Sequence, residues 1–162
     1  MADQLDLLVA SDGVQRTEEL GRELGGLLKP ADVLVLNGAL GAGKTAFTRG
    51  LADGLNVRGP ITSPTFVVAR IHPSLGTGPA LVHVDAYRLT SLDDLESIDL
   101  DAHREQSVIV IEWGEQWVDE LTDIYLQVDI QRPTGDEEGD DRTIWLQAHG
   151  GRWDERLAKL TW

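Results

Sequence analysis

The sequence predicts a three-layer α/β fold in which helices cover both faces of a mixed central sheet. Residues 33–36 and 107–111 are almost entirely apolar, which is typical of strands covered on both faces in a parallel sheet. Residues 16–28 place leucines at helical spacing between two strand-like segments. Alternation of strands and helices is typical of α/β domains, whose helices pack on the faces of the sheet.

Local patterns predict the other elements, and we expect one domain over residues 1–162. Residues 67–71 and 80–84 are strand-like and are joined by a loop that contains Gly and Pro, so they predict an antiparallel pair. Thr17 is a candidate cap for helix 16–28, with acidic residues in the first turn. The remaining predictions are strands at 5–9, 125–130 and 143–148 and helices at 46–55, 91–98, 115–121 and within 151–160.

Composition limits the kinds of partner and compartment that we expect. The chain has 28 acidic and 14 basic residues and a formal net charge of −14. Proteins that bind a nucleic-acid backbone unaided gather Lys and Arg into a patch, so direct binding to RNA or DNA is not expected. The chain has no cysteine, no apolar run of about 18 residues and no basic leader before an apolar stretch. We therefore expect a cytoplasmic protein without disulfides or a membrane span.

Residues 38–45, GALGAGKT, match the pattern G-x-x-x-x-G-K-[ST] at every fixed position. The match lies directly after the strand predicted at 33–36 and before the helix predicted at 46–55. In a phosphate-binding loop, glycines let the backbone turn its N–H groups towards phosphates at a helix N-terminus. Lys44 would contact the β- and γ-phosphates, and the Thr45 hydroxyl would be a ligand of Mg²⁺. The sequence therefore predicts a nucleoside triphosphate site of the phosphate-loop NTPase type.

Hydrolysis or transfer also requires an acidic residue that holds Mg²⁺ or orients the attacking group. In open α/β sheets such residues gather at the carboxyl ends of the strands. Asp85 follows the strand-like residues 80–84, and Glu112 follows residues 107–111. We expect both carboxylates at the site. The sequence contains no Asn-Lys-x-Asp segment of the kind that accompanies guanine recognition, so ATP is the expected nucleotide.

The residue pattern leaves the roles of several neighbouring side chains open. Trp113 is interpreted either as core packing, which is slightly favoured, or as a wall of the nucleotide site. Ser63 and Thr65 flank a proline, and each is either an ordinary turn hydroxyl or one that approaches the γ-phosphate as switch loops do. His83 lies on a strand and is expected to be a packed or surface residue rather than a base.

Four motifs in this order, GALGAGKT, SPTF, HVDAYRL and IEWG, resemble the TsaE family, also called YjeE. The likeness covers roughly residues 5–148. It implies a small bacterial ATPase with a mixed-sheet phosphate-loop fold, required for threonylcarbamoyladenosine modification of tRNA beside the anticodon. It also implies TsaB and TsaD as partners, with TsaD performing the transfer. ATP hydrolysis would reset the complex between rounds, and tRNA would be contacted only through the complex.

The resemblance also implies roles for individual residues. Thr45 and Glu112 are expected to hold Mg²⁺. Asp85 is expected to be a catalytic or metal-proximal acid, and Thr65 a catalytic, switch-like threonine. The implied ATP-binding residues are Ser11, Gly38, Gly41, Ala42, Gly43, Lys44, Thr45, Ala46, Trp113 and Arg142. Many family members have Thr at the position of Ala46, so this chain would lack a side-chain contact to the α-phosphate of about 1 kcal/mol.

Two other functions remain open from the residues. Small-molecule kinases of the phosphate-loop class also have an Asp-x-x-Arg-like segment, here Asp85 and Arg88. Such kinases generally need a mobile Arg-bearing lid, and residues 113–124 do not supply a convincing one. A binding module that senses a nucleotide without turnover would need only the phosphate loop.

Overall fold

Seven strands, five α-helices and two 3₁₀-helices form the part of the chain that the computed structural model describes, residues 6–39, 41–61, 69–132, 139–151 and 153–162. The strands are β1 (Asp6–Ser11), β2 (Val33–Gly38), β3 (Ala69–His72), β4 (Ala80–Asp85), β5 (Ser107–Glu112), β6 (Tyr125–Gln131) and β7 (Arg142–His149). The α-helices are α1 (Val14–Gly25), α2 (Lys44–Leu55), α3 (Leu92–Ser97), α4 (Leu100–Arg104) and α5 (Trp153–Leu157). The 3₁₀-helices are Ala86–Arg88 and Val118–Glu120.

All seven strands belong to one mixed sheet with the order β1-β7-β6-β2-β5-β4-β3. The four central strands β6, β2, β5 and β4 run parallel, whereas β7, β1 and β3 each run antiparallel to the strand on their inner side. The predicted antiparallel pair of β3 and β4 is confirmed. Because Ser11 pairs with Arg142, the end of β1 and the start of β7 lie at the same edge as the carboxyl ends of the parallel strands.

Helices cover both faces of the sheet, as the apolar strands predicted. Leu34 and Leu36 of β2 belong to the core cluster that includes residues of α1 and α2. Val33 and Val35 point to the opposite face and belong to a second cluster, with residues of α3 and α4. A strand covered on both faces has no solvent-exposed side for polar residues. The three-layer α/β prediction is therefore confirmed. Among the described residues, no helix has the length and apolar character needed to cross a bilayer.

Two predicted helices have different bounds or a different form. Helix α1 begins at Val14, with Gly13 as its N-cap, so Thr17 lies inside the helix and the predicted cap is wrong. For the same reason the first turn of α1 contains no acidic residue. The helix predicted at 115–121 is also wrong, because only Val118–Glu120 is helical, as one 3₁₀ turn. Trp117 and Val118 are buried by this tight turn.

Helices α1 and α2 approach closely along a contact that we call the glycine seam. The seam consists of two glycines from each helix: Gly21, Gly25, Gly50 and Gly54. A Cβ atom on Gly50 would lie 2.1 Å from the carbonyl oxygen of Glu18, and one on Gly21 would lie 2.3 Å from that of Phe47. Real Cβ atoms do not come so near a backbone oxygen. Gly54 is a packing residue inside α2.

Gly50→Ala is expected to lower the free energy of unfolding by about 1–3 kcal/mol, the usual cost of forcing an extra group into a packed interior. The two helices would have to separate, because the clash is with backbone rather than with a flexible side chain. Gly26→Ala is the matched control. Gly26 has a φ of −66° and no heavy atom within 3.6 Å of the added Cβ position, so its replacement should cost nothing. Urea denaturation of both variants measures the difference, and equal stabilities would contradict the packing role.

The end of β3 is fastened to the segment that follows α2. Nδ1 of His72 donates a hydrogen bond of 2.9 Å to the carbonyl oxygen of Arg58. The backbone continues the contact, since Arg58 N–H donates to Pro73 O and Leu75 N–H to Asn56 O. Burial lowers the pKa of His72, and the Arg58 carbonyl partly opposes this. His72 therefore prefers to be neutral in the folded chain.

The lowered pKa of His72 predicts a loss of stability in acid. The contribution of neutral His72 to the free energy of unfolding is fully present above the unfolded pKa of about 6.5. It is lost as the pH falls, because the histidine of the unfolded chain then binds a proton more readily than the buried histidine does. His72→Gln removes this titration while it keeps a hydrogen-bond donor. The decrease in free energy of unfolding between about pH 7.5 and pH 5.5 should therefore be smaller in the variant. Urea titrations at both pH values test this, and an unchanged decrease would contradict it.

Candidate nucleotide-binding site

The predicted phosphate loop connects β2 to α2 at the carboxyl edge of the sheet. Gly41 and Gly43 have φ values of 77° and 112°, in the left-handed region that favours glycine. Gly43 is the N-cap of α2, and no side chain caps the helix there. Helix α2 begins at Lys44, two residues before the predicted start. Its first N–H groups have no partner within the helix, so they are available to an anion.

Two arginines hold the outer side of the loop. Arg142 donates from Nε to the carbonyl of Ala42 at 3.0 Å, and Arg132 donates from Nη2 to the carbonyl of Gly41 at 2.8 Å. A trans peptide directs its C=O and N–H groups to opposite sides. The carbonyl of Ala42 therefore points to Arg142 while the N–H of Gly43 points away from it. The two arginines therefore stabilise a loop conformation in which the N–H group of Gly43 points to the side opposite Arg142, where a phosphate could accept its hydrogen bond.

Lys44 is placed inside the loop, where a phosphate lysine is expected. It is 7% exposed, and its Nζ atom donates a hydrogen bond of 2.7 Å to the carbonyl of Gly38. Nζ also lies 4.0 Å from the centroid of the Trp113 ring, within the range of a cation–π contact. Burial lowers the pKa of Lys44, and the nearby charges of Glu112 and Asp85 oppose this shift. The ammonium group is thus largely removed from water and lies near two carboxylates.

Glu112 and Asp85 come together as predicted, because β5 and β4 are adjacent and parallel. The two residues are paired in register at the carboxyl ends of these strands. Glu112 is 4% exposed, whereas Asp85 is only half-buried. Oδ1 of Asp85 accepts a hydrogen bond of 3.0 Å from Tyr87 N–H and so caps the following 3₁₀-helix. Asp85 therefore has a structural role that the sequence did not predict.

Trp113 is a surface residue of the site, so the slightly favoured interpretation as core packing is wrong. Its side chain is 40% exposed, and its ring packs at a tilt against Tyr87, with 5.4 Å between the centroids. Its φ of 60° is strained for a large side chain. The backbone is held there by a hydrogen bond from Trp113 N–H to the carbonyl of Leu36. This conformation brings the indole ring beside Lys44.

Sequence reasoning missed the contact between His83 and Glu112. His83 is fully buried, and its Nε2 atom lies 2.8 Å from Oε2 of Glu112. The expectation that His83 is a packed residue is correct. The sequence did not indicate that the His83 ring also contacts Glu112, the candidate metal ligand. Strand periodicity places His83 and Asp85 on one face of β4, but the contact also requires the register that pairs Asp85 with Glu112, which only the structure shows.

An open groove of about 490 Å³ lies where β1 ends and β7 begins, and Arg142 connects its lining to the phosphate loop through the carbonyl of Ala42. Ser11 and Arg142, two of the residues that the resemblance implied for ATP binding, line it, and their role stays a prediction. The Ser11 hydroxyl is itself buried and shares a hydrogen bond of 2.8 Å with Oγ1 of Thr17. Thr17 and Ala46 line a smaller pocket directly beside the loop, and Arg142 borders both spaces. Thr17 is thus another residue of this region that the pattern did not identify.

Thr65 and Ser63 lie outside the described residues. The first residue of β3, Ala69, is paired with Val84, which immediately precedes Asp85. The chain therefore enters β3 at the edge of the sheet that contains the site. The switch-like role of Thr65 stays a prediction.

The residues present fit a nucleoside triphosphate with Mg²⁺. Gly41 and Gly43 have the positive φ values with which a glycine loop turns its backbone, and the start of α2 provides free N–H groups. Lys44 supplies one positive charge inside the loop. Thr45, which is half-buried, and Glu112 offer oxygen atoms, which are the ligands that Mg²⁺ prefers.

Lys44→Ala is expected to weaken binding of ATP by about 1.5–3 kcal/mol, the range for hydrogen bonds to charged groups. The domain should remain folded, because Nζ contacts a loop carbonyl and an aromatic face rather than the apolar core. Lys159→Ala, at an exposed position, removes the same charge and should leave affinity unchanged. Calorimetry of both variants tests this, and equal ATP affinity of folded Lys44→Ala and wild type would rule out the phosphate-loop assignment.

Comparisons with known proteins agree with this geometry. Residues 11–144 match the family described as threonylcarbamoyl adenosine biosynthesis protein TsaE. A tRNA threonylcarbamoyladenosine biosynthesis protein TsaE from Streptomyces coelicolor is 56% identical over 136 residues, which cover 83% of this chain and 92% of the relative. The protein of the same name from Bacillus subtilis is 37% identical and covers 91% of this chain and 89% of the relative. The crystal structure of Bacillus subtilis YdiB superposes with a TM-score of 0.76 at 28% identity, over 98% of this chain and 96% of that one.

Proposed function

Because the chain belongs to the TsaE family, we propose that it is the ATP-binding and ATP-hydrolysing subunit of a system that makes threonylcarbamoyladenosine in tRNA. It has the P-loop NTPase-like fold of that family. The observation that best supports hydrolysis is the position of Lys44 and Glu112. Both lie at the carboxyl edge of the sheet, and the charge of Glu112 is close enough to Lys44 to act on the lysine's pKa.

Each residue of the loop has a defined task in this proposal. The N–H groups from Gly41 to Ala46 bind the phosphates, and Lys44 contacts the β- and γ-phosphates. Thr45 and Glu112 hold Mg²⁺, which when bound neutralises charge on the phosphate oxygens. Asp85 stands next to Glu112, where it orients the attacking water or lies near the metal. Trp113 covers the phosphate end of the site, and Ser11 and Arg142 border the groove for the adenosine.

Partner proteins complete the proposed function. We propose that TsaB and TsaD bind the chain, that TsaD performs the transfer, and that ATP hydrolysis resets the complex between rounds. The net charge of −14 supports indirect contact with tRNA, since an acidic surface repels phosphates. Hydrolysis by the isolated chain should accordingly be slow and should rise when the partners are added.

A small-molecule kinase is the alternative, and the structure gives it little support. Such an enzyme needs a mobile lid that brings an arginine over the phosphates. Residues 113–124 contain no arginine and form a compact turn with one 3₁₀-helix, in which Trp117 and Val118 are buried. Burial of these side chains anchors the segment to the sheet. A nucleotide sensor without turnover would use Glu112 only to hold Mg²⁺ and would release no phosphate.

Glu112→Gln is expected to lower partner-stimulated ATP hydrolysis by at least about tenfold, since a loss of only 1.4 kcal/mol at the transition state has that effect. The measurement is phosphate release by the chain alone and with TsaB and TsaD from the same organism. Glu115→Gln, at an exposed position on the same segment, changes the charge equally and should not alter the rate. Lack of stimulation in wild type, together with phosphorylation of a metabolite, would support the kinase instead.

A further inference from the structure

His83 and Glu112 form a hydrogen bond inside the protein, on the face of the sheet covered by α1 and α2. The His83 side chain is fully buried and that of Glu112 is 5% exposed, with 2.8 Å between Nε2 and Oε2. From this geometry we infer that His83 is a positioning residue, which holds Oε2 of Glu112 and leaves Oε1 as the oxygen that would bind Mg²⁺. The inference rests on the proposed role of Glu112 as a ligand of Mg²⁺.

The hydrogen-bonding partners determine which ring nitrogen carries the proton. An ionised carboxylate only accepts hydrogen bonds, so Nε2 of His83 must donate to Oε2 of Glu112. Among the described residues, Nδ1 of His83 has no partner. Only one nitrogen of a neutral ring carries hydrogen, so a donating Nε2 leaves Nδ1 as an acceptor. We therefore assign the tautomer with hydrogen on Nε2.

The arrangement is rigid because both residues belong to central parallel strands. His83 pairs in register with Val110, two residues before Glu112, so the two side chains are diagonal neighbours on one face. Neither backbone can shift without disturbing the sheet. Glu112 Oε2 is thus engaged by the ring and does not compete for the metal. Oε1 accepts no hydrogen bond from the described residues.

Such a contact changes how well a carboxylate holds a metal. Partners that orient metal ligands typically change metal affinity by about 10–100-fold when they are removed. A carboxylate without its partner can rotate about its last bond, and ordering it again costs free energy on binding. The effect should therefore appear in the part of nucleotide affinity that depends on Mg²⁺. Affinity without Mg²⁺ depends on the loop N–H groups and Lys44, which His83 does not contact.

The test compares His83→Leu, which removes the donor, with His83→Gln, whose amide N–H replaces it. Calorimetry with a non-hydrolysable ATP analogue, with and without Mg²⁺, gives the gain in affinity due to Mg²⁺. We expect this gain to fall about tenfold or more in His83→Leu and to recover largely in His83→Gln. His72→Leu is the matched control, because His72 is another buried histidine but contacts Arg58 instead. It should lower stability and leave the Mg²⁺ gain unchanged.

Two outcomes separate a failure of this inference from a failure of the proposed function. A full Mg²⁺ gain in His83→Leu would overturn the inference and leave the proposed function standing. No Mg²⁺ gain in wild type would overturn the proposed metal site itself. NMR of the wild-type chain with ¹⁵N-labelled histidine gives a readout that needs neither nucleotide nor folded variants. Hydrogen on Nε2 of His83 supports the assignment, and hydrogen on Nδ1 overturns it.

Discussion

The close packing of α1 against α2 determines where the nucleotide site can form. Helix α2 must start where β2 ends, and the glycine seam lets α1 lie against it with backbone in contact with backbone. This brings Gly13 and Thr17, at the start of α1, beside the phosphate loop and the groove near Ser11. Larger side chains along the seam would move α1 away and open that side of the site. The shape of the small pocket beside the loop therefore depends on how closely α1 and α2 pack along the glycine seam.

Much of the site could be predicted from the sequence, because its main parts depend on local patterns and on one rule of topology. The glycines and Lys44 lie within eight consecutive residues, where spacing alone determines geometry. Asp85 and Glu112 are 27 residues apart, yet each directly follows an apolar run, and parallel strands bring their carboxyl ends to the same edge. The strands were predicted for the same reason, since apolar runs indicate burial directly.

Other features depend on through-space contacts that no local pattern contains. Trp113 is a large aromatic residue directly after an apolar strand, and such residues are usually found in the core. The chain, however, turns at a strained φ just after β5, which places the ring beside Lys44. The contact of His83 with Glu112 requires that β4 and β5 are adjacent and in a particular register, which the sequence does not state. The helix expected at 115–121 was wrong because Trp117 and Val118 are buried by a tight turn instead of a helical face.

The contacts of the loop and of Lys44 indicate which parts of the candidate site would move if a nucleotide bound there. Arg132 and Arg142 bind the loop carbonyls from outside, so the backbone cradle is already formed. Lys44, in contrast, has partners that a phosphate would replace, namely the Gly38 carbonyl and the Trp113 ring. Because these partners already keep the ammonium group out of water, its transfer to a phosphate carries little additional desolvation cost. Under the proposed function, binding would therefore require movement of the Lys44 side chain, while the donors on the loop and the carboxylate on β5 would stay in place.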